Sequence, residues 1–250
     1  MSCMKNLVVT EGIILRSRNY KEADQLITIY TQKLGKITAI AKGVRKTKSK
    51  LRGGLQIFSH SNLSLYIGKN LATVTQSENI NSFLPLRSEF DRMNYASFIS
   101  ELIDALLPEA ENDEELFTLI LKSKYLLSFL EPLSTTHLIV VRLLDYLGYK
   151  PELESCTECG QGLDNNLIFS PNLGGLICSE CKKNLTFKTI NISGESKIVL
   201  QKMMDMDLLK FSRIKISPNA LKEIDNILDE YITYILGKRL KSKQVLDTIL

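Results

Sequence analysis

Two stretches of the chain alternate between apolar and polar residues: KITAIAK at 36–42 and NLSLYI at 62–67. Apolar side chains occupy every second position, at Ile37, Ala39 and Ala41 and again at Leu63, Leu65 and Ile67. Successive side chains of an extended chain point to opposite faces, so this pattern is typical of strands with one buried face. The two stretches therefore predict two strands of a sheet that covers a core.

Three further segments around these stretches are rich in β-branched residues, at 8–16, 25–31 and 71–76. Gly35 and Gly68 mark turns between the predicted strands. Five short strands within about 80 residues predict a small closed β unit, and a five-stranded barrel of the oligonucleotide/oligosaccharide-binding (OB) type fits that number.

After Pro85 the apolar residues recur at spacings of three and four, which is typical of helices. Helices are predicted at 88–107, from a cap at Asn112 or Asp113 to about 130, at 132–148, at 195–206, and from Ser217-Pro218 through 221–235. The predicted fold class is α+β and multidomain. An OB-type barrel occupies residues 1–82, and a helical domain at 83–250 carries an insertion at about 152–190.

The predicted insertion contains four cysteines in two pairs, Cys156-x-x-Cys159 and Cys178-x-x-Cys181. A two-residue gap lets both sulfurs of a pair reach one tetrahedral metal ion. Four thiolates leave no open coordination position, so the pattern predicts a structural zinc ion rather than a catalytic one. Two redox-active dithiols are the alternative, but the βαβ context typical of such motifs is missing. Cys3 is interpreted as a plain thiol.

The charge of the chain is unevenly distributed. Residues 1–82 hold 13 lysines and arginines against 4 acids, although the whole chain has a net charge of only +4. The densest run of bases, residues 42–52, is called the basic loop below. Its bases are Lys42, Arg45, Lys46, Lys48, Lys50 and Arg52. Bases this close together must face water or phosphate, so the basic loop is predicted to lie on the surface and bind DNA. A merely solubilising surface is the alternative.

Tyr20, Tyr30 and Tyr66 lie in the predicted strands around the basic loop. On an open barrel face they could stack bases, or they could pack into the barrel. Both interpretations stay open at this point.

Signatures of an enzyme are weak. No phosphate-binding Gly-x-x-x-x-Gly-Lys-Ser/Thr loop occurs, and His60 and His137 are the only histidines. The acidic run 113–115 is interpreted as the start of a helix rather than as a two-metal site. We therefore expect no catalytic step. Because no signal peptide and no long uncharged apolar run is visible, we expect a cytoplasmic protein without a membrane partner.

The motifs together resemble the bacterial recombination protein RecO family. In the N-terminal part the resemblance lies in EGIIL (11–15), YKEAD (20–24), LGK (34–36), AKGVR (41–45) and GLQIF (54–58). In the C-terminal part it lies in LGYKP (147–151), the cysteine quartet and Ser170 followed by Gly174-Gly175.

The resemblance implies an N-terminal OB barrel, a helical body and a zinc-binding insertion. It also implies binding of single- and double-stranded DNA, annealing of complementary strands, and help in loading the recombinase RecA onto single strands coated by single-strand-binding protein. RecR is an expected partner, the RecA filament an indirect one, and the nucleoid the expected location. A protein–protein adaptor whose basic region grips an acidic partner tail is the alternative function.

Overall fold

The computed structural model describes residues 6–69, 71–207, 210 and 213–249. Its N-terminal part is a closed barrel of five strands in the order β1-β2-β3-β5-β4, with β4 pairing back onto β1. All neighbours are antiparallel except β3 and β5, whose short parallel pairing closes the barrel through Ala39 opposite Ala72. The strands are β1 Leu7–Tyr20, β2 Asp24–Thr31, β3 Gly35–Ala41, β4 His60–Ile67 and β5 Ala72–Asn81.

Strand β1 is long and pairs with two neighbouring strands, β4 and β2. Its first half pairs with β4 up to Ile13, and its second half pairs with β2. The register with β2 shifts between Ile14 and Arg16, and such a bulge bends a strand and increases its twist. At the same place Gly12 allows close packing, since a Cβ atom there would lie 2.8 Å from side-chain atoms of Ile29 and Leu63.

The barrel interior is formed by apolar side chains of the strands, including those of the alternating stretches. Ile27, Ile29, Ala39 and Leu65 are fully buried. The predicted five-stranded OB-type barrel is therefore confirmed. Two strands extend further than the sequence predicted, β1 to Tyr20 and β5 to Asn81. Their polar ends lack apolar alternation, yet they continue the backbone ladders with β2 and β4.

Helices follow the barrel, as predicted. The helix predicted at 88–107 begins at Phe90, because Glu89 is extended and separates it from a short preceding helix that ends at Ser88. The acidic run at 113–115 does begin a helix, and the Asp113 carboxylate accepts a hydrogen bond from the Leu116 backbone N–H at 3.0 Å. These helices are α1 Pro85–Ser88, α2 Phe90–Leu106 and α3 Glu114–Phe129.

The C-terminal part combines helices with a small three-stranded sheet of order β7-β6-β8. Ser217 caps its longest helix by accepting from the Ala220 N–H at 3.2 Å, and Gly237 ends that helix in the left-handed conformation. Its elements are α4 Pro132–Tyr146, β6 Ile168–Ser170, β7 Gly175–Ile177, α5 Ser179–Lys183, β8 Ile190–Asn191, α6 Gly194–Asp205, α7 Pro218–Leu236 and α8 Lys241–Ile249.

The chain divides into two compact units, Met1–Phe129 and Leu130–Leu250. The first contains the barrel and α1–α3, and the second contains the remaining elements. The domain boundary predicted after residue 82 stays a prediction. Across the part of the chain that the structure describes, every helix is too short or too polar to cross a bilayer.

Candidate nucleic-acid interface and metal centre

The basic loop lies in the connection between β3 and β4. All six of its bases are exposed: Lys42, Arg45, Lys46, Lys48, Lys50 and Arg52. The structure thus brings these residues together on one surface segment of the barrel unit. Whether they touch DNA stays a prediction.

The basic loop is anchored to the barrel. The buried side chains of Val44, inside the loop, and Leu55, just after it, belong to the barrel core. The Gly43 N–H donates to an Asp24 carboxylate oxygen at 2.7 Å, and the Ser77 hydroxyl donates to the Leu51 carbonyl at 3.0 Å. These contacts hold the backbone in place while the basic side chains project into solvent.

Two further bases on the barrel were missed by the sequence reasoning. Arg16 and Arg18 are exposed on β1 and line a shallow cleft of about 180 Å³ with Thr28 and Thr38 of the neighbouring strands. Asp104 of α2 also lines this cleft and lies 3.8 Å from the Arg16 guanidinium. Residue parity was the one signal in the sequence, since Arg16, Arg18 and Tyr20 share one face of β1 if the strand continues past residue 16.

The three tyrosines around the basic loop differ in their surroundings. Tyr30 is fully buried and its ring stacks on Phe117 of α3, with 6.4 Å between ring centroids. Burial raises the pKa of its hydroxyl to about 12. Tyr30 is therefore a core residue and offers no surface for base stacking. Tyr20 and Tyr66 are partly exposed on the barrel.

The structure brings the four cysteines together. All four sulfur atoms lie within 4.8 Å of one another, and the sulfurs of Cys159 and Cys178 are 3.9 Å apart. Zinc–sulfur bonds of about 2.3 Å in tetrahedral geometry place sulfurs roughly 3.8 Å apart, far beyond the about 2.05 Å of a disulfide. Among the described residues this is the one cluster able to hold a metal ion. Cys3 lies outside those residues.

Local structure supports each cysteine pair. Gly160 adopts a positive φ of 72°, and its N–H donates to the Cys156 carbonyl at 2.8 Å in a tight turn. Cys178 caps the short helix α5, where its sulfur accepts from the Cys181 N–H at 3.5 Å. Ile168 and Ile177 of the small sheet pack against Cys156, which is buried.

The electrostatics of the four sulfurs favour a cation. Burial raises the pKa of the Cys156 thiol, but hydrogen bonds from the backbone N–H groups of Cys159 and Cys178 outweigh it and lower the pKa to about 6. Hydrogen bonding to the sulfurs of Cys159 and Cys178 raises the pKa of the Cys181 thiol. Four adjacent thiolates repel one another, so a bound divalent cation would stabilise all four in the ionised form that coordinates metal. The donor set and its geometry fit a metal ion held by sulfur.

Comparisons with known proteins agree with the barrel and the helical part. The family model described as Recombination protein O N terminal matches residues 4–83, and the one described as Recombination protein O C terminal matches 87–244. The chain belongs to the RecO family. The resemblance drawn from the sequence motifs is thereby confirmed.

Several relatives in the RecO family match over nearly their whole length, and each is named DNA repair protein RecO. The protein of Heliobacterium modesticaldum is 37% identical over 244 residues, covering 96% of this chain and 89% of the relative. The protein of Alkaliphilus metalliredigens is 36% identical, with 93% and 95% covered. The protein of Dehalococcoides mccartyi is 37% identical, with 96% and 95% covered.

Proposed function

We propose that this chain is a DNA repair protein that binds single- and double-stranded DNA, anneals complementary strands and helps load recombinase onto protein-coated single strands. The observation that carries the proposal is the ordered basic loop, with six exposed bases on an OB-type barrel. Membership of the RecO family and the repair names of its relatives support it.

The proposed mechanism is electrostatic and has no catalytic step. Lysines and arginines of the basic loop, extended by Arg16 and Arg18 on β1, would neutralise phosphates and release counterions. Two complementary strands could then approach with less repulsion while their bases stay free to pair. Both histidines have structural contacts with carboxylates. The Nε2 atom of His60 lies 2.8 Å from a Glu11 carboxylate oxygen, and the Nε2 atom of His137 lies 3.1 Å from an Asp225 carboxylate oxygen.

The proposed partners are RecR, single-strand-binding protein and, indirectly, the RecA filament. The proposed location is the cytoplasm, at the nucleoid. The alternative adaptor function, in which the basic loop grips an acidic partner tail, uses the same surface. Competition between DNA and an acidic peptide for the loop would distinguish the two functions.

We further propose that Cys156, Cys159, Cys178 and Cys181 hold a structural zinc ion. Sulfur ligands in tetrahedral geometry favour zinc over the hard cations calcium and magnesium. The ion would connect the hairpin that contains Cys156 and Cys159 to the start of α5, a region with few buried residues of its own. Its role would be to hold this part of the fold together.

The DNA-binding proposal is tested by reversing charges on the basic loop. In a variant with Lys46, Lys48 and Lys50 replaced by glutamate, affinity for a labelled single strand should fall. The slope of log K against log salt should flatten by about 2, because each phosphate contact to single strands contributes about 0.7. Fluorescence anisotropy across a salt series measures both quantities, and annealing of a complementary strand can be followed in the same samples.

A matched control carries the same change in net charge elsewhere. Lys202, Lys222 and Lys238 are exposed lysines of the C-terminal unit, and their replacement by glutamate should leave the slope nearly unchanged. If both triple variants lose affinity equally, net charge rather than the basic loop governs binding. If the loop variant is folded and binds like the unmodified protein, the basic loop is not the DNA interface.

A further inference from the structure

An acidic side chain, that of Asp24, contacts the backbone of the basic loop. Asp24 begins β2 and is half-buried. The next acid along the sequence is Glu78, so the whole basic loop falls within a long segment that contains no carboxylate. Since a carboxylate repels phosphate, the charge of Asp24 by itself counts against a place beside a loop that binds DNA.

The contact lies where the basic loop leaves the barrel. The Gly43 N–H donates to the Oδ1 atom of Asp24 at 2.7 Å, a short distance that is typical of a charged acceptor. Gly43 follows the end of β3 by two residues and has a φ of 64°, which turns the chain out of the strand. The carboxylate therefore fixes the residue at which the direction of the loop is set.

The residues just before Asp24 hold the next part of the basic loop. The Arg45 N–H donates to the Ala23 carbonyl at 3.0 Å, and the Arg45 guanidinium donates to the Glu22 carbonyl at 2.9 Å. Both acceptors lie in the turn between β1 and β2. This turn and the Asp24 carboxylate together form a rigid support for the first half of the loop.

The basic loop needs such a support because its own charges repel one another. Its backbone forms short turns rather than a strand or a helix. The Lys46 N–H donates to the Gly43 carbonyl at 3.1 Å, and the Ser49 N–H donates to the Lys46 carbonyl at 3.0 Å. The first of these turns starts at the residue that Asp24 holds. Without the carboxylate, repulsion between the bases would open the turns, and DNA would have to order the loop on binding.

We propose that Asp24 is a positioning residue for DNA binding, which orders the basic loop by accepting the Gly43 N–H. Its presence raises the affinity for DNA although its charge repels phosphate. The inference rests on the proposed binding of DNA by the basic loop. A loop that is ordered when the protein folds loses less conformational freedom when it binds its ligand.

The test sets the sign of the charge effect against the sign of the positioning effect. If charge alone matters, removing the acid should raise affinity about 2-fold, the Coulomb effect of a unit charge about 10 Å from a phosphate in water. Asp24→Ala should instead bind a labelled single strand about 5-fold more weakly, since ordering two long side chains costs about 10-fold and the lost charge returns about 2-fold. The slope of log K against log salt should stay unchanged, because the same phosphates are contacted.

Glu22→Ala is the matched control, because Glu22 is an exposed acid of the adjacent turn and contacts the loop through its backbone carbonyl, which the substitution keeps. It should bind about 2-fold more tightly, as a pure charge effect requires. Asp24→Asn keeps an acceptor oxygen and should restore at least the affinity of the unmodified protein. Fluorescence anisotropy across a salt series measures all of these affinities.

Hydrogen exchange provides a measurement that does not depend on DNA. In the free Asp24→Ala protein the amides of Lys46 and Ser49 should exchange faster, because the turns that protect them open more often. Thermal melting verifies that the variant is folded. If it is not, Gly43→Ala strains the same contact from the loop side, because Gly43 has a positive φ, and should weaken binding by a similar factor.

The inference is overturned if the folded Asp24→Ala protein binds as tightly as the unmodified protein, or if Asp24→Asn loses as much affinity as the alanine variant. Unchanged affinity of a folded Gly43→Ala protein would count against it in the same way. Failure of the proposed function has a different signature, because the triple glutamate variant of the basic loop would then bind DNA like the unmodified protein.

Discussion

Replacing Lys124 by methionine should stabilise this protein at neutral pH. Lys124 lies in α3 and is fully buried. Its ammonium donates to the Ser100 hydroxyl at 2.8 Å and lies 5.2 Å from the centre of the Phe58 ring. Burial lowers the pKa of Lys124 to about 7.

The magnitude follows from that displaced pKa. In the unfolded chain the lysine keeps its ordinary pKa near 10.5, so at pH 7 unfolding takes up about half a proton. One pKa unit corresponds to about 1.4 kcal/mol, which makes the burial cost about 4 kcal/mol at pH 7. The lost hydrogen bond and the lost contact with Phe58 offset about half of this. We expect Lys124→Met to raise the free energy of unfolding by about 2 kcal/mol.

The pH dependence provides the sharper criterion. Because the unfolded state binds more protons between about pH 7 and pH 10.5, the stability of the unmodified protein gains with rising pH. The methionine variant lacks this contribution. Its advantage should therefore shrink by about 2 kcal/mol from pH 7 to pH 9. Urea unfolding followed by circular dichroism measures the difference at each pH.

Lys122→Met supplies the matched control, because Lys122 is an exposed lysine of the same helix. It should change the free energy of unfolding by less than about 0.5 kcal/mol at every pH. A constant difference between the Lys124→Met variant and the unmodified protein from pH 7 to pH 9 would refute the reasoning. It would mean that Lys124 keeps its proton despite burial.

Three other predictions concern the C-terminal unit. Cys181→Ser should reduce bound zinc from one ion per chain to well below one, measured by elemental analysis, and lower the melting temperature; full zinc content would count against the four-sulfur site. Gly174→Ala should lower the free energy of unfolding by more than about 1 kcal/mol in urea titrations, because Gly174 has a φ of 70° and an added Cβ would lie 2.8 Å from the Tyr231 hydroxyl; an unchanged midpoint would contradict this strain. Burial opposes ionisation of Asp225, but contacts with His137 and Lys243 outweigh it and lower its pKa to about 2. The ionised Asp225 carboxylate stabilises the fold fully above its ordinary pKa near 3.8, and this effect is lost as pH falls through 2. Asp225→Asn should therefore flatten the fall of the free energy of unfolding between pH 4 and pH 2. Identical acid unfolding curves would exclude this role.

Much of the fold and of the metal centre could be predicted from local sequence. The alternating stretches at 36–42 and 62–67 specify strands because side-chain direction in an extended chain depends only on residue parity. Asp113 and Ser217 begin helices because a cap satisfies backbone N–H groups within the next three residues. Cysteine spacing predicted the sulfur cluster because each Cys-x-x-Cys pair is a local turn, and a turn depends on neighbouring residues alone.

Only the tertiary structure decided features that depend on residues distant in sequence. Closure of the barrel pairs Ala39 with Ala72, and burial of Tyr30 depends on Phe117 of a helix far along the chain. Burial of Lys124 could not be predicted from a sequence in which lysine is usually exposed. Likewise, Arg45 and Arg52 of the basic loop line one cleft with Ser17 of β1 and Gln25 of β2, which no local pattern in the sequence indicates. Sequence patterns report the conformation of a segment, whereas packing between segments determines which side chains lose contact with water.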